Sequence, residues 1–222
     1  MSSTETILAG RHIRLEPLQP AHAAALAAAS AGDPELYRWS PVPQGPAQAQ
    51  RYVQEALQAR DAGTALPLAV LRQADGAVIG STRYFLIERW AWPPGHPRQG
   101  RAHPDACEIG YTWYAREAIR TAANTEAKWL MLAQAFDTWG VLRVCLHTDV
   151  RNQRSRAAIE RIGGRFEGIL RSHRLAADFG ARDSARYSIL AAEWPQVREQ
   201  LQARVAAALH MGANTPQARE VL

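Results

Sequence analysis

Apolar and polar residues alternate over positions 12–18, and this period of two predicts a β-strand. The next stretch, from Pro20 to about Ser30, is rich in alanine and predicts a helix that stops before Gly32. Asp75-Gly76 lies between two apolar runs, and this dipeptide favours the tight turn of a hairpin. The same patterns predict further strands over 66–71, 77–88, 107–114, 141–148, 166–175 and 184–190, and helices over 33–39, 47–62, 125–139, 152–162 and 193–209.

The order of these elements predicts an α/β (α+β) fold in which helices cover a mixed, largely antiparallel sheet of about seven strands. The strand–helix–strand–helix section over 107–163 supplies the parallel pairing within that sheet. No repeat or linker divides the chain, so we expect a single domain over 1–210 and a flexible tail over 211–222. In such a sheet, ligands bind at the carboxyl ends of the parallel strands, where helix N-termini converge.

The formal net charge of the 222-residue chain is +5, and because Lys128 is the only lysine, arginine supplies nearly all of the positive charge. One short region holds eight arginines: Arg143, Arg151, Arg154, Arg156, Arg161, Arg165, Arg171 and Arg174. Such a cluster can face a phosphate-rich ligand or a nucleic acid, and it is also typical of a solvated helix face. Phe166 is the only aromatic residue besides histidine in this region, which argues against a nucleic-acid surface.

No stretch approaches the roughly 20 apolar residues of a membrane span, and the first ten residues lack the features of a signal peptide. We therefore expect a soluble, cytoplasmic protein that does not contact a membrane. Cys107 and Cys145 stand alone in the sequence, so we expect neither a disulfide nor a cysteine-based metal site. Metal-ligand spacing is also missing around His96, His103, His147 and His173, and no metal is expected.

Glu108 interrupts an otherwise apolar strand, where an isolated charge is costly unless it has a partner or a function. By simple alternation it shares a face with Gly110, Thr112 and Tyr114. A carboxylate in this position can serve as the general base that takes a proton from an amine. The alternative is a structural ion pair with an arginine, such as Arg83 on the preceding strand.

Two predicted helix starts can present free backbone N–H groups to an anion. The first is the stretch from Thr121 to Glu126, where the alternative is a plain helix cap by the threonine or by Asn124. The second begins at Asn152, which can equally act as a helix cap and nothing more. Ser155 follows one turn later and shares an inward-facing stripe with Ile159.

Five segments, taken in order, resemble the core of the GNAT superfamily of N-acetyltransferases. They are LAGRHIRLEPLQPAH at 8–22, CEIGYTWY at 107–114, RTAANTEAKWLMLAQAF at 120–136, RVCLHTDVRNQRSRAAIERIGGRFEGILR at 143–171 and RDSARYSILAAEWP at 182–195. The chain looks most similar to the branch that includes ribosomal-protein alanine and serine N-acetyltransferases. The resemblance extends from about residue 7 to residue 200.

This resemblance implies that an acetyl group passes directly from acetyl-CoA to a primary amine, with no covalent acyl-enzyme. Acetyl-CoA would lie where two central strands splay apart, with its pantetheine arm along the strand over 107–114 and its pyrophosphate on the turn over 121–126. The implied catalytic residues are Glu108 and Ser155. The implied cofactor-binding residues are Ile109, Tyr111, Arg120, Thr121, Ala122, Ala123, Asn124, Thr125, Asn152, Arg154 and Arg156.

The sequence departs from the family pattern at two places. The stretch from Ile119 to Asn124 has no glycine, although the family usually places glycines in this phosphate loop. Many members also carry a tyrosine seven residues after the helix-opening asparagine, where its hydroxyl can protonate the leaving thiolate. That position is Ile159 here, so Ser155 becomes the candidate donor to the sulfur, unless the thiolate leaves unassisted.

The long loop over 91–105 and the residues around it are candidates for contact with the acceptor, because apolar loop residues near an active site often touch substrate. We expect this of Trp39, Trp90 and Trp92, while packing as a satellite cluster is the alternative for the loop pair. The acceptor would be a protein N-terminus or a small molecule. The oligomeric state stays open, with a homodimer as a common arrangement of such domains.

Two other functions remain open at the level of sequence. A different acyl-CoA transferase, such as a succinyltransferase, would need a wider acyl pocket lined by arginine. A non-catalytic module that binds the ribosome or RNA would use the arginine cluster, and would need exposed aromatic residues among those arginines.

Overall fold

The computed structural model describes residues 7–213, with side chains as far as Ala207. Its elements include eight strands, which form one sheet in the order β1-β2-β3-β4-β5-β6-β8-β7. The strands are β1 (Leu8–Ala9), β2 (Ile13–Pro17), β3 (Ala65–Arg72), β4 (Val78–Glu88), β5 (Ala106–Tyr114), β6 (Arg143–Asp149), β7 (Arg165–Leu175) and β8 (Ala181–Leu190). The α-helices are α1 (His22–Ala29), α2 (Gly45–Asp61), α3 (Ala123–Ala133), α4 (Gln153–Arg161) and α5 (Trp194–Ala213).

The predicted fold class is confirmed, because all neighbouring strands of the described sheet are antiparallel except β5 and β6. The sheet has eight strands instead of about seven, since the two-residue strand β1 pairs with β2. Helix α3 begins at Ala123, two residues earlier than predicted, and continues as a π-helical turn over Gln134–Trp139. None of the helices in the described range is long and apolar enough to cross a membrane.

The last helix, α5, runs to Ala213. The rest of the predicted C-terminal tail, 214–222, lies outside the described residues, as do residues 1–6 of the predicted domain. The division into a domain over 1–210 and a tail therefore stays a prediction.

Two apolar layers cover the two faces of the sheet. On one face, α3, α4 and α5 contribute the larger core, in which Met131, Ile159 and Leu201 pack against strand residues such as Ile109. On the other face, α1 and α2 pack over a smaller core that includes Trp113 of β5. This arrangement leaves β5 and β6 in the middle of the molecule, with a helical layer on either side of β5.

Glu126 fixes the start of the chain to helix α3. Its carboxylate is fully buried and accepts backbone hydrogen bonds from Arg11, His12 and Ile13 at 2.7, 2.7 and 2.9 Å. Gly10 leaves the room for this contact, because a Cβ there would stand 2.5 Å from Cδ of Glu126. A buried carboxylate needs such donors, so this contact ties the β1–β2 turn to α3, the helix that follows the predicted phosphate loop.

Lys128, the only lysine, is buried in the same helix and faces the sheet. Its Nζ donates a hydrogen bond of 2.6 Å to Oγ1 of Thr112 on β5 and a longer one of 3.4 Å to Oγ1 of Thr82 on β4. No carboxylate of the described chain forms an ion pair with it. Burial lowers the pKa of Lys128 to about 7, because the charged ammonium loses its hydration there.

Replacing Lys128 with methionine should therefore stabilise the fold, and by an amount that depends on pH. In the unfolded chain, Lys128 has a pKa of about 10.4 and keeps its proton up to that pH. In the folded protein, Lys128 releases the proton above about pH 7. The free energy of unfolding of the wild type therefore rises with pH between about 7 and 10. We expect Lys128→Met to raise Tm by roughly 5–10 °C at pH 7 and by much less at pH 10. Circular dichroism melts of both proteins at several pH values measure the difference.

The difference between the two proteins isolates Lys128, because all other titrating groups are shared. A gain in Tm that stays the same from pH 6 to pH 10 would show that the lysine remains charged in the folded protein. A loss of stability at every pH would show that its hydrogen bonds to the threonines outweigh the cost of burying it.

Candidate active site

Strands β5 and β6 run parallel and then diverge. Their registered pairs are Ala106 with Arg143, Cys107 with Val144 and Glu108 with Cys145, and pairing within the described sheet ends there. Beyond Glu108, the edge of β5 that faces β6 has no β-partner, although β5 continues to Tyr114 and β6 to Asp149. Unpaired strand edges offer backbone donors and acceptors to an extended ligand. Glu108 marks the point of divergence.

A β-bulge at Tyr111 changes which side chains share a face of β5. Ser81 of β4 pairs with Trp113 and Arg83 pairs with Gly110, so two residues of β5 lie opposite one of β4. Tyr111 has a positive φ of 51°, which is the left-handed conformation typical of such bulges. The extra residue reverses the alternation that follows it.

The prediction that Thr112 and Tyr114 share the face of Glu108 is therefore wrong. Thr112 hydrogen-bonds Lys128 of α3, and Tyr114 belongs to the core on the α3 side. Gly110 does share the face of Glu108, because a Cβ at Gly110 would stand 3.9 Å from Oε1 of Glu108. That Cβ would also lie 2.8 Å from the Phe85 ring, so only glycine fits between the ring and the carboxylate.

The Glu108 carboxylate is 2% exposed, and its two oxygens have different surroundings. Oε2 accepts a hydrogen bond of 3.2 Å from the Arg174 guanidinium and lies 2.8 Å from Nδ1 of His147. Oε1 lies on the Gly110 side and has no hydrogen-bond donor among the residues that the structure describes. The structural alternative with Arg83 is not the pairing that forms, since the cation that contacts Glu108 is Arg174 of β7.

Two histidines adjoin this carboxylate, and the sequence did not indicate them as site residues. His147 of β6 has its side chain 5% exposed, and its ring centre lies 5.1 Å from that of His173 on β7. Neither ring nitrogen of His147 has a hydrogen-bond partner of good geometry within the described chain. Burial lowers the pKa of His173, and Arg174 lowers it further. His147 and His173 lie far apart in the sequence, and the pairing of β6 with β8 and of β8 with β7 brings them together.

The predicted phosphate loop precedes α3. Thr121 acts as a local cap, because its Oγ1 accepts from the N–H of Ala123 at 3.2 Å and donates to the carbonyl of Ala118 at 2.7 Å. The first helical backbone bond is that of Glu126 to Ala122, so the N–H groups of Asn124 and Thr125 have no acceptor within the described residues. Arg120 has a positive φ of 64° and an exposed side chain. The loop thus makes its turn without glycine.

A cavity of about 510 Å³ opens beside this loop. Its lining includes Thr121, Ala122 and Ala123 together with Arg11 and Arg72. These residues belong to the side of α3 that faces β2 and the β3–β4 turn, whereas β6 lies on the other side of β5. The cavity therefore borders the loop away from Glu108.

Helix α4 begins as its sequence predicted. Asn152 is buried and its side chain accepts from the N–H of Ser155 at 3.0 Å, so it does cap the helix. Ser155 is partly exposed and precedes the buried Ile159 by one turn. Arg154 donates to the carbonyl of Leu36 at 2.8 Å. Arg156 instead donates to the Tyr187 hydroxyl at 3.0 Å, in contact with β8.

The three tryptophans occupy two different places. The guanidinium of Arg151, next to Asn152, lies 4.3 Å from the Trp39 ring centre, so Trp39 adjoins the carboxyl end of β6. Trp90 and Trp92 contact each other, and Trp92 stacks on His96 at 4.1 Å. The backbone N–H of Trp90 donates to Asp105, which places this cluster at the amino end of β5. These contacts agree with the satellite-cluster alternative, while Trp90 is 41% exposed, so its contact with the acceptor stays a prediction.

The thiol of Cys107 is buried on the core side of β5, and burial raises its pKa. A protonated, enclosed thiol is a poor nucleophile, in keeping with direct transfer. Among the side chains described, which end at Ala207, no group of three or more histidine, cysteine, aspartate or glutamate residues has the arrangement of a metal site.

Comparison with known proteins places this geometry in a family. Residues 12–165 match the family model of the acetyltransferase (GNAT) domain. A GCN5-related N-acetyltransferase from Brucella melitensis is similar in structure, with a TM-score of 0.76 and 30% identity over 90% of this chain and 86% of that chain. A putative acetyltransferase from T. thermophilus has a TM-score of 0.73 and 32% identity over 92% of this chain and 99% of that chain.

A third similar structure is Mycobacterium smegmatis RimJ in complex with CoA-disulfide. Its TM-score is 0.71, with 23% identity over 89% of this chain and 91% of that chain, so the likeness is one of fold. No curated protein sequence matches the chain.

Proposed function

The chain belongs to the GNAT family of acyl-CoA-dependent N-acetyltransferases, and we propose that it moves an acetyl group from acetyl-CoA to a primary amine by direct attack, with Glu108 as the general base. The observation that carries the proposal is a buried carboxylate with one free oxygen at the point where β5 and β6 diverge. In this position, the carboxylate adjoins both the free strand edge and the face of the sheet that an acceptor can approach.

In this proposal, acetyl-CoA lies in the gap between β5 and β6 beyond Glu108. Its pantetheine amides bond to the free edge of β5 in the region of Ile109 and Tyr111, as an added strand would. Its pyrophosphate rests on the unpaired N–H groups at the start of α3, where the positive end of the helix dipole favours an anion. Arg120 can add a charge-assisted contact there, because its exposed side chain has no partner among the described residues.

The α4 start offers less to the phosphates than its sequence indicated. The side chain of Asn152 is engaged in capping, and Arg156 is engaged with Tyr187. Arg154 can release the Leu36 carbonyl and turn to a phosphate, since its side chain lies at the surface. We therefore assign the main phosphate contacts to residues 120–125 and a secondary one to Arg154.

The chemistry follows from this arrangement. The amine nitrogen forms a bond to the thioester carbonyl carbon, its proton passes to Oε1 of Glu108, and the carbon–sulfur bond breaks to release CoA. Arg174 donates a hydrogen bond to Oε2, beside which Nδ1 of His147 lies at 2.8 Å, so the carboxylate is oriented with Oε1 available. A backbone N–H near Ile109 or Tyr111 stabilises the oxyanion. Holding the two reactants together supplies roughly 7–11 kcal/mol of the barrier.

The arginine cluster does not favour the RNA-binding alternative. Most of its members are engaged within the protein: Arg143 with Glu167, Arg151 with Asp149 and Asp178, Arg154 with the Leu36 carbonyl, Arg156 with Tyr187, Arg165 with Glu193 and Arg174 with Glu108. Phosphate backbones are bound by cations that remain free to exchange their counterions. An acceptor amine, from a protein N-terminus or a small molecule, is therefore the partner that we propose.

The first prediction from the proposed function concerns the co-substrate. Acetyl-CoA should raise Tm of the wild type, because a ligand at ~100 times its Kd adds about 2.7 kcal/mol to the folded state. The shift should be smaller in Arg120→Ala, most clearly at low salt, since exposed charge contacts are screened. Differential scanning fluorimetry measures both, with Arg204→Ala on α5 as the matched control. No shift in the wild type at millimolar acetyl-CoA would exclude the proposed function.

The second prediction concerns the base. Glu108→Gln keeps the shape of the side chain and removes its ability to take the proton, so turnover at pH 7 should fall by about 10²–10⁴-fold. The deficit should shrink at high pH, where the amine arrives deprotonated. Release of CoA thiol measures turnover, and the thermal shift with acetyl-CoA should be retained. Glu167→Gln, at the carboxylate that pairs with Arg143, serves as the control. Normal turnover at pH 7 would make Glu108 structural.

The third prediction concerns the leaving thiolate. If Ser155 donates a hydrogen bond to the sulfur, Ser155→Ala should lower kcat by about one to two powers of ten, as expected for roughly 1.5–3 kcal/mol. KM for acetyl-CoA should change little, and Ser155→Thr should restore part of kcat. Steady-state kinetics with a saturating amine test this. An unchanged kcat in Ser155→Ala would mean that the thiolate leaves unassisted.

A further inference from the structure

Arg83 lies on β4 close to Glu108. It is registered with Gly110, and the adjacent same-face pair is Phe85 with Glu108. Arg83 and Glu108 are therefore diagonal neighbours across the two strands, with Cα atoms roughly 7–8 Å apart. Gly110 lies between them without a side chain, and its Cβ direction points toward the Phe85 ring and Oε1 of Glu108. Arg83 thus shares the face on which the free oxygen of Glu108 lies.

The side chain of Arg83 is buried and has no anionic partner. The residue is 7% exposed, and it forms neither a hydrogen bond nor an ion pair with any residue in the described part of the chain. Nε is fully enclosed without an acceptor. The guanidinium carbon lies 4.0 Å from the ring centre of Tyr111 and 5.3 Å from that of Tyr52 on α2. Other arginines that adjoin the site are partnered: Arg151 by Asp149, Arg174 by Glu108 and Arg182 by Ser184.

A buried guanidinium without an acceptor carries a large desolvation cost. The two tyrosine rings offset part of it through cation–π contacts. Aromatic faces, however, leave the planar fork of N–H donors unused. That fork matches a carboxylate, which accepts two parallel hydrogen bonds from it. The missing partner of Arg83 is therefore best supplied by a ligand.

We propose that Arg83 binds a carboxylate carried by the acceptor, so that the acceptor is an amine with an acidic group and its amino group meets Glu108. This inference rests on the proposed function. The acceptor is the better source of the carboxylate than the acyl chain, because Arg83 shares the face of Oε1, whereas the acyl donor enters along the edge of β5 that faces β6. Tyr111 is 41% exposed and lies over the guanidinium, so its ring forms the outer wall of this subsite.

Matched pairs of acceptors that differ only in the carboxylate test the proposal. The pairs are β-alanine with β-alaninamide, glycine with glycinamide, and two short peptides with glutamate or glutamine after the first residue. We expect the wild type to prefer the acid of at least one pair by tenfold or more in kcat/KM. Arg83→Met should bring that ratio close to one and leave KM for acetyl-CoA unchanged. Arg83→Lys should keep a reduced preference, because a lysine retains the charge and loses the fork.

Two further measurements separate a binding role from a structural one. If Arg83 serves to bind a ligand, its burial lowers the stability of the free protein, so Arg83→Met should keep or raise Tm. If Arg83 serves to stabilise the fold, Arg83→Met should lower Tm. Arg186→Met, at an arginine of β8 that pairs with Glu167, is the control and should leave the acid preference intact. In parallel, succinyl-CoA is compared with butyryl-CoA: an Arg83-dependent preference for the succinyl chain would move the carboxylate from the acceptor to the donor and overturn the assignment to the acceptor.

The outcomes also distinguish this inference from the proposed function. Turnover of acids and amides at equal rates, or a preference that persists in Arg83→Met, would overturn the carboxylate subsite and leave the acetyltransferase intact. If no amine is acetylated, the proposed function fails. Calorimetric binding of N-acetyl-β-alanine and of its amide in the presence of CoA then decides the subsite. Tighter binding of the acid by wild type but not by Arg83→Met supports it, and equal binding overturns it.

Discussion

The short parallel pairing of β5 with β6 is the constraint on which the rest of the site depends. Three registered pairs hold the two strands together, and their separation after Glu108 leaves backbone groups of β5 unpaired in the centre of the sheet. Interior strands normally satisfy such groups from both sides. The bulge at Tyr111 lies on the β5 side of the gap, and the end of β6 bounds the gap on the other side. In the proposed function, the backbone-like amides of pantetheine complete the hydrogen bonding that the fold leaves open.

Local pattern predicted most of the fold, and non-local contacts account for what it missed. Periodicity, turn dipeptides and the Asn152 cap act over a few residues, so strands β2 to β8 and the five α-helices could be predicted from neighbouring residues. The two-residue strand β1 is too short to show such a pattern. The face of β5 on which Thr112 lies could not be predicted in this way. One extra residue at Tyr111 reverses the alternation of side chains along β5, and the sequence carries no signal such as glycine at that position. The contacts of Glu126 with the β1–β2 turn and of Glu108 with Arg174 join residues 66 to 115 positions apart. Only the closed sheet brings such partners together.

The buried charges of this protein are satisfied to different degrees within the described chain. Glu126 accepts three backbone hydrogen bonds and holds the β1–β2 turn to helix α3. Glu108 has one oxygen held and one free, as the proposed general base requires. Lys128 has hydroxyl partners and no counter-ion, and Arg83 has aromatic neighbours and no acceptor. Our proposals for Glu108 and Arg83 rest on this difference, because each leaves a hydrogen-bonding group that a ligand can complete.

The burial of Lys128 leaves the folded protein without any ε-amine at its surface, since no other lysine occurs in the sequence. Amine-reactive crosslinkers and succinimidyl dyes therefore find no lysine to modify while the fold is intact. The enzyme also offers no lysine to its own acyl donor, so acetyl-lysine formed in a reaction mixture comes from the acceptor. Modification of Lys128 itself, read by mass spectrometry, would report molecules in which α3 has separated from the sheet.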